Sequence, residues 1–82
     1  MSLQQRDSRS IWHPATHFDD LAAVPPIGIV RAKGAWLYTE RGDAILDAIS
    51  SWWTSIHGHN HPRIVAAIRE QVEQLDHVMF AG

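Results

Sequence analysis

The sequence predicts an α+β fold, in which a short antiparallel three-stranded ribbon precedes one long helix. Between residues 27 and 49, three short β-branched and aromatic segments alternate with glycine-containing turns. Turns this short favour antiparallel pairing of neighbouring strands. After residue 61, apolar residues recur at spacings of three and four, which is the period of one helix face. The 82 residues are enough for one small folded unit or for a piece of a larger one.

Composition excludes several classes of protein. With 45% hydrophobic and 20% charged residues, the chain is typical of a folded protein. A net charge of −2 argues against a nucleic-acid-binding surface. The absence of cysteine excludes a disulfide framework, a thiolate zinc site and a cysteine nucleophile. Because no apolar run approaches roughly 20 residues and no secretory signal opens the chain, we expect no membrane partner and a cytoplasmic location.

Residues 1–26 are predicted to form an N-terminal arm. Asp7 or Ser8 suits the capping position of a short helical turn, because a short polar side chain can accept a hydrogen bond from the first free backbone N–H groups. Pro14 is expected to end that turn. Residues 19–23 are predicted to form a loop or weak turn, which two consecutive prolines close.

The three predicted strands cover residues 27–32, 36–39 and 45–49. Each is rich in β-branched or aromatic residues, which fit a pleated surface. Gly34 marks the turn between the first two strands, and Gly42 marks the turn between the second and third, because glycine tolerates a positive φ.

A loop is predicted over residues 50–61, followed by a helix from Pro62 to His77. Proline suits the first turn of a helix, where its missing N–H needs no partner. One face of this helix carries an apolar stripe made of Val65, Ile68, Val72 and Leu75. The predicted ribbon, loop and helix together make up one segment, residues 27–82.

Three histidines, His57, His59 and His61, alternate along the predicted loop. Imidazole is a common metal ligand, and on a strand this spacing would place all three on one face. However, a glycine and an asparagine interrupt them, and the nearest carboxylates in sequence are about ten residues away. A loop that leads into the helix is therefore favoured, and a histidine-based metal-binding domain stays an alternative.

Two shorter motifs have ordinary explanations. Arg41-Gly42-Asp43 spells an adhesion tripeptide, but a glycine between charged residues is a common turn. Ser50 and Ser51 lie near histidines but lack the nucleophile elbow of a serine hydrolase. The chain also contains neither a P-loop nor a dinucleotide-binding fingerprint.

The adjacent pair Trp52 and Trp53 is more informative. On a strand the two indoles would face opposite sides, and on a helix they would lie about 100° apart, so at most one can point into a local core. The other needs a ligand, a second domain or a second chain to cover it. Two alternatives stay open: both are packing residues, or the chain is a stand-alone protein-interaction or dimerisation module.

Three stretches together resemble one family. They are Ile11-Trp12-His13-Pro14, then Ser50-Ser51-Trp52-Trp53 followed by the histidine-rich loop, and His77-Val78-Met79-Phe80. In this order and spacing they resemble the N-terminal region of the 7,8-diaminononanoate synthases. These are class III aminotransferases that convert 8-amino-7-oxononanoate to 7,8-diaminononanoate in biotin biosynthesis. The resemblance covers nearly the whole chain, from about Ser8 to Gly82.

The resemblance implies a homodimeric, pyridoxal-phosphate-dependent enzyme of fold type I, with an α/β parent fold. This chain would be the N-terminal part of its small domain. The lysine and the phosphate-binding groups of that family lie downstream of the matched region. The resemblance therefore implies no catalytic and no cofactor-binding residue in this chain, and we expect the isolated 82 residues to be inactive.

The resemblance also places six residues at the substrate pocket: Trp52, Trp53, Pro14, Ala15, Met79 and Ala81. Trp52 matches a tryptophan that lines the pocket, with Trp53 beside it. The segment at Pro14 closes over the substrates, and the segment at Met79 reaches the pocket of the partner subunit. Many members carry a tyrosine that stacks on the donor's adenine where this chain has Ala15, so the amino donor is open between adenosylmethionine and lysine.

Overall fold

The computed structural model describes all residues from Met1 to Gly82 and confirms the α+β prediction. The elements follow in the order helix Leu3–Ser10, 3₁₀ helix Phe18–Ala22, strands β1 (Ile29–Lys33), β2 (Trp36–Thr39) and β3 (Ala44–Leu46), a helical turn Ser50–Trp53, and a long helix Pro62–Gln74. Four of these elements, from β1 to the helical turn, build the candidate site described below.

The three strands form one antiparallel sheet in the order β1-β2-β3, as predicted. Gly34 and Gly42 have φ values of +59° and +96°, so both predicted turns use the conformation that favours glycine. The bounds of two strands were predicted wrongly at both ends. β1 covers residues 29–33 rather than 27–32 and contains a bulge. β3 covers residues 44–46 rather than 45–49, because Asp47 turns the chain.

The N-terminal helix begins earlier than predicted. Ser2 is its N-cap, because the Ser2 hydroxyl accepts from the Gln5 backbone N–H and the Gln5 side chain accepts from the Ser2 N–H. The prediction that Asp7 or Ser8 caps this helix is therefore wrong, since both lie inside it. Residues 18–22, most of the predicted loop or weak turn, form a 3₁₀ helix.

The long helix begins at Pro62, as predicted, but ends at Gln74 rather than at His77. Its first turn is capped by the His61 Nδ1 atom, which accepts from the Arg63 backbone N–H at 3.2 Å. Leu75 is already extended, with φ −159°, and an acidic residue follows it, which the negative end of the helix dipole disfavours. No helix is long and apolar enough to cross a membrane.

This chain has almost no core of its own. No hydrophobic residue is buried, and Thr39 is the one buried residue. The long helix packs against neither the sheet nor the N-terminal helix, so most of its predicted apolar stripe is uncovered: Val65 is half-buried, but Ile68 is 62% exposed. Backbone and side-chain hydrogen bonds, rather than apolar packing, therefore define the local geometry of the loops.

Candidate functional site

The helical turn Ser50–Trp53 is left-handed. Its four residues have φ values between 47° and 67°. The turn is closed by the Trp53 N–H donating to the Ile49 carbonyl at 3.0 Å and by the Ser55 N–H donating to the Ser50 carbonyl at 3.0 Å. Because this conformation costs an L-residue roughly 1–2 kcal/mol, four such residues in a row need compensating contacts.

Asp47 supplies contacts that hold this turn. Its Oδ1 atom accepts from the Ser51 backbone N–H at 3.0 Å, and its Oδ2 atom accepts from the Ser51 hydroxyl at 2.8 Å. Oδ2 also lies 2.6 Å from the His59 Nε2 atom. The Asp47 side chain is only 6% exposed, so both carboxylate oxygens are committed to protein groups.

The same contacts keep Asp47 ionised. The Ser51 backbone N–H, followed by the side chains of His59 and Ser51, lowers the pKa of Asp47 from 3.8 to about 2. At neutral pH the side chain is therefore an anion that can only accept hydrogen bonds. This matches its three partners, which are two Ser51 donors and the ring nitrogen of His59.

His59 joins this cluster to the first hairpin. Its backbone N–H donates to the Gly34 carbonyl at 2.7 Å, and its carbonyl accepts from the Gly34 N–H at 3.0 Å. The Asp47 N–H donates to the Ala35 carbonyl at 2.8 Å. Gly58, at φ +76°, passes so close that an added Cβ atom would lie 3.2 Å from the Gly34 Cα atom. The hairpin, Asp47 and the histidine loop thus form one frame for the turn.

The left-handed turn presents both tryptophans outward. Trp52 is 63% exposed and Trp53 is 82% exposed, so neither indole belongs to a local core. The prediction that residues 50–53 belong to a loop is wrong, because they form this helical turn. The indole directions were predicted for a strand and for a right-handed helix, and the backbone of this turn is neither.

The other predicted pocket residues lie on two separate segments. Pro14 and Ala15 form a turn after the N-terminal helix, where Ala15 has a φ of 51° and the Thr16 hydroxyl donates to the Pro14 carbonyl at 2.8 Å. Met79 and Ala81 lie in the irregular C-terminal segment, exposed. None of the six predicted pocket residues lines any of five cavities on the surface of this chain.

The W-H-P segment folds back toward the N-terminal helix. His13 Nε2 lies 2.6 Å from an Asp7 carboxylate oxygen, and the ring of Trp12 packs against Phe18 with centroids 5.7 Å apart. Asp7 therefore pairs with His13 instead of capping the helix. This pairing also holds the start of the Pro14 turn against the N-terminal helix.

The three alternating histidines do not converge. His59 contacts Asp47 and His61 caps the long helix, and no group of three histidine or carboxylate side chains is arranged to hold a metal ion. Asp47 nevertheless contacts His59 although the two are 12 positions apart in sequence, because the chain reverses between them. That proximity builds a structural pair rather than a ligand set.

Sequence reasoning missed both Asp47 and His59. Asp47 was placed inside the third strand and His59 in a loop. A signal was available: aspartate and serine side chains commonly bond nearby backbone groups, and Asp47 precedes Ser51 by four residues. The pairing of His59 with the first hairpin has no such local signal, because it joins residues 25 positions apart.

Comparison with known proteins identifies the family. The family model described as "Aminotransferase class-III" matches residues 19–82 of this chain. The adenosylmethionine-8-amino-7-oxononanoate aminotransferase of Corynebacterium glutamicum is 42% identical, over 99% of this chain and 18% of its own length. The enzyme of the same name from Synechococcus elongatus is 47% identical, over 88% of this chain and 16% of its own length.

Solved structures agree. The adenosylmethionine-8-amino-7-oxononanoate aminotransferase of Methanocaldococcus jannaschii matches with a TM-score of 0.83 and 32% identity, over 98% of this chain and 18% of that chain. An omega-transaminase from Thermomicrobium roseum matches with a TM-score of 0.82 and 31% identity, over the same shares. The chain spans less than a fifth of the length of these relatives. The resemblance found in the sequence is confirmed, and the chain belongs to the class III aminotransferase family.

Proposed function

We propose that this chain is the N-terminal part of a pyridoxal-phosphate-dependent aminotransferase that converts 8-amino-7-oxononanoate to 7,8-diaminononanoate in biotin biosynthesis. The main support for this proposal is that nearly the whole chain matches enzymes named for this reaction, at 42% and 47% sequence identity. Residues 1–26 serve as the arm that closes the pocket, and residues 27–82 as the start of the small domain. We place the enzyme in the cytoplasm.

In this proposal Trp52 and Trp53 form a wall of the substrate pocket. The substrate is a keto acid with a long, largely apolar chain, and indole rings offer apolar area with a hydrogen-bonding N–H. Two features of the turn support the role. Its backbone is fixed by the Asp47 bonds, and its indoles are left uncovered by the rest of this chain.

Pro14 and Ala15 belong to the segment that closes over the substrates. Ala15 carries only a methyl group, so it cannot provide an aromatic stacking surface for the adenine of adenosylmethionine. The donor is accordingly adenosylmethionine, bound without a ring at this position, or lysine. Adenosylmethionine is favoured by the printed names of the relatives, and lysine by the residue itself.

Met79 and Ala81 are proposed to reach the pocket of a partner subunit in a homodimer. Their exposure supports this, and so does the uncovered apolar stripe on the long helix, because apolar surface of this extent requires cover from other protein segments. The same surface is the observation that favours the alternative function, a protein-interaction or dimerisation module without enzyme activity.

The residues of this chain do not fit a pyridoxal phosphate site. Lys33 is the single lysine, and it lies exposed at the end of β1, opposite Trp36. It lines none of the five cavities described above. We therefore assign cofactor binding to segments of the enzyme outside these 82 residues and derive no chemical step from this chain.

The test is an assay of the complete enzyme with 8-amino-7-oxononanoate and pyridoxal phosphate. Adenosylmethionine and lysine are supplied in separate reactions, and 7,8-diaminononanoate is measured by mass spectrometry. Formation of the diamine with either donor supports the proposal and identifies the donor. If neither donor yields the diamine while the protein forms a stable complex with another protein, the interaction module is the better account.

A further inference from the structure

We infer that Asp47 is a positioning residue for the substrate wall: by holding both polar groups of Ser51, it fixes the left-handed turn that presents Trp52. The inference rests on the proposed function, because it concerns how the wall of that pocket is held. Neither the resemblance nor the sequence patterns single out this residue for a role.

Asp47 is bonded directly to the left-handed turn. Ser51 directly precedes Trp52, and its N–H and hydroxyl both donate to the Asp47 carboxylate, at 3.0 and 2.8 Å. These two bonds fix Ser51 at φ 47° and ψ 52°, a conformation that an L-residue adopts rarely. Without the carboxylate, the residue would relax toward negative φ, and the chain direction at Trp52 would change.

Apart from the backbone of the turn, few contacts in this chain set the position of the Trp52 ring. Its side chain is 63% exposed, so surrounding residues of this chain do not enclose the ring. Its position therefore follows from the backbone, which is left-handed from Ser50 to Trp53.

Asp47 is itself held in place by contacts with the first hairpin and with His59. Its backbone N–H donates to Ala35 at 2.8 Å, and its Oδ2 atom lies 2.6 Å from His59, which pairs with Gly34. With a side chain 6% exposed and both oxygens engaged, Asp47 has no free group for a ligand. Its effect on the substrate therefore passes through the turn and not through direct contact.

The experiment compares Asp47→Ala with Asp43→Ala in the complete enzyme. Asp43 lies exposed in the neighbouring Gly42 turn, and its carboxylate is not bonded to the left-handed turn, so it is a matched control. We expect Asp47→Ala to raise the KM for 8-amino-7-oxononanoate about tenfold, the low end for loss of a hydrophobic pocket contact, with kcat changed less than about twofold. Asp43→Ala should leave both constants unchanged.

A rescue variant separates positioning from general damage. The Ser50 side chain does not bond to the Asp47 carboxylate, and the Ser50 backbone N–H, which donates to the Asp47 carbonyl at 3.3 Å, is kept by glycine. Glycine also adopts the φ of 48° at this position without strain. Adding Ser50→Gly to Asp47→Ala should therefore restore part of the lost affinity. If Asp47→Ala does not fold, Asp47→Asn replaces it, since its carbonyl oxygen can still accept from Ser51, and a smaller rise in KM is expected.

Hydrogen exchange of the peptide covering residues 47–55 is measured on the same proteins. Faster exchange in Asp47→Ala, but not in Asp43→Ala, supports the hold on the turn even if the wild-type enzyme fails to convert the substrate. That failure alone would refute the proposed function. Unchanged exchange in Asp47→Ala overturns the inference. So does faster exchange with an unchanged KM in an enzyme whose wild type converts the substrate.

Discussion

Replacing Trp52 with alanine in the complete enzyme should weaken substrate use and leave folding nearly intact. Trp52 is 63% exposed in this chain. Because a tryptophan side chain presents up to roughly 250 Å², about 160 Å² of the ring is free for a ligand to cover. A substrate chain that covers half of this area gains about 2 kcal/mol at about 25 cal/mol per Å². Its loss lowers kcat/KM for 8-amino-7-oxononanoate about 30-fold.

The assay measures steady-state kinetics and the melting temperature on the same Trp52→Ala protein, with Trp53→Ala as the matched control. Truncating a core indole typically costs about 3–5 kcal/mol of stability, which would appear as a clear fall in melting temperature. We expect little fall for Trp52→Ala and a smaller kinetic effect for Trp53→Ala. A large fall in melting temperature with normal kinetics in the folded protein would place Trp52 in a core and rule out its role as a wall of the substrate pocket.

Three further predictions follow from the same structure. The isolated 82-residue chain should show no cofactor absorbance band and no turnover when titrated with pyridoxal phosphate, because its one lysine, Lys33, lies exposed at the end of β1; a saturable band would contradict this. The pKa of Asp47 is lowered to about 2, so its ionised form stabilises the fold above about pH 4 and this contribution is lost as the pH falls toward 2. The melting temperature of the wild-type enzyme should therefore exceed that of Asp47→Asn near neutral pH, and a difference that does not shrink below pH 4 would argue against the ion. Gly58→Ala should lower the melting temperature more than Gly42→Ala, because both positions have positive φ but only Gly58 approaches other backbone, at 3.2 Å from Gly34; equal effects would show that the contact is unimportant.

The sheet and the start of the long helix were predictable because their signals are local. Glycine at positive φ marks both hairpin turns, and proline with a preceding capping side chain marks the helix start at Pro62. Element ends were less accurate. The third strand stops at Leu46 because the Asp47 side chain turns back on Ser51, and strand propensity does not register that competition.

The sequence drew attention to the two tryptophans of the candidate site but not to Asp47, His59 or the geometry of the turn. The pair Trp52-Trp53 stood out by composition and by resemblance, whereas its left-handed backbone has no propensity signal in serine and tryptophan. That backbone depends on contacts made by Asp47 and on the pairing of His59 with Gly34, which lies far away in sequence. Local patterns cannot anticipate the two contacts of His59, since they join residues 12 and 25 positions apart in sequence.

A crystal structure of the complete enzyme with 8-amino-7-oxononanoate bound would show whether the left-handed turn held by Asp47 presents Trp52 to the substrate. We expect residues 50–53 at positive φ, both Asp47–Ser51 hydrogen bonds in place, and the Trp52 ring in van der Waals contact with the apolar chain of the substrate. A Trp52 ring packed against other protein segments, with the substrate on a different wall, would contradict this expectation.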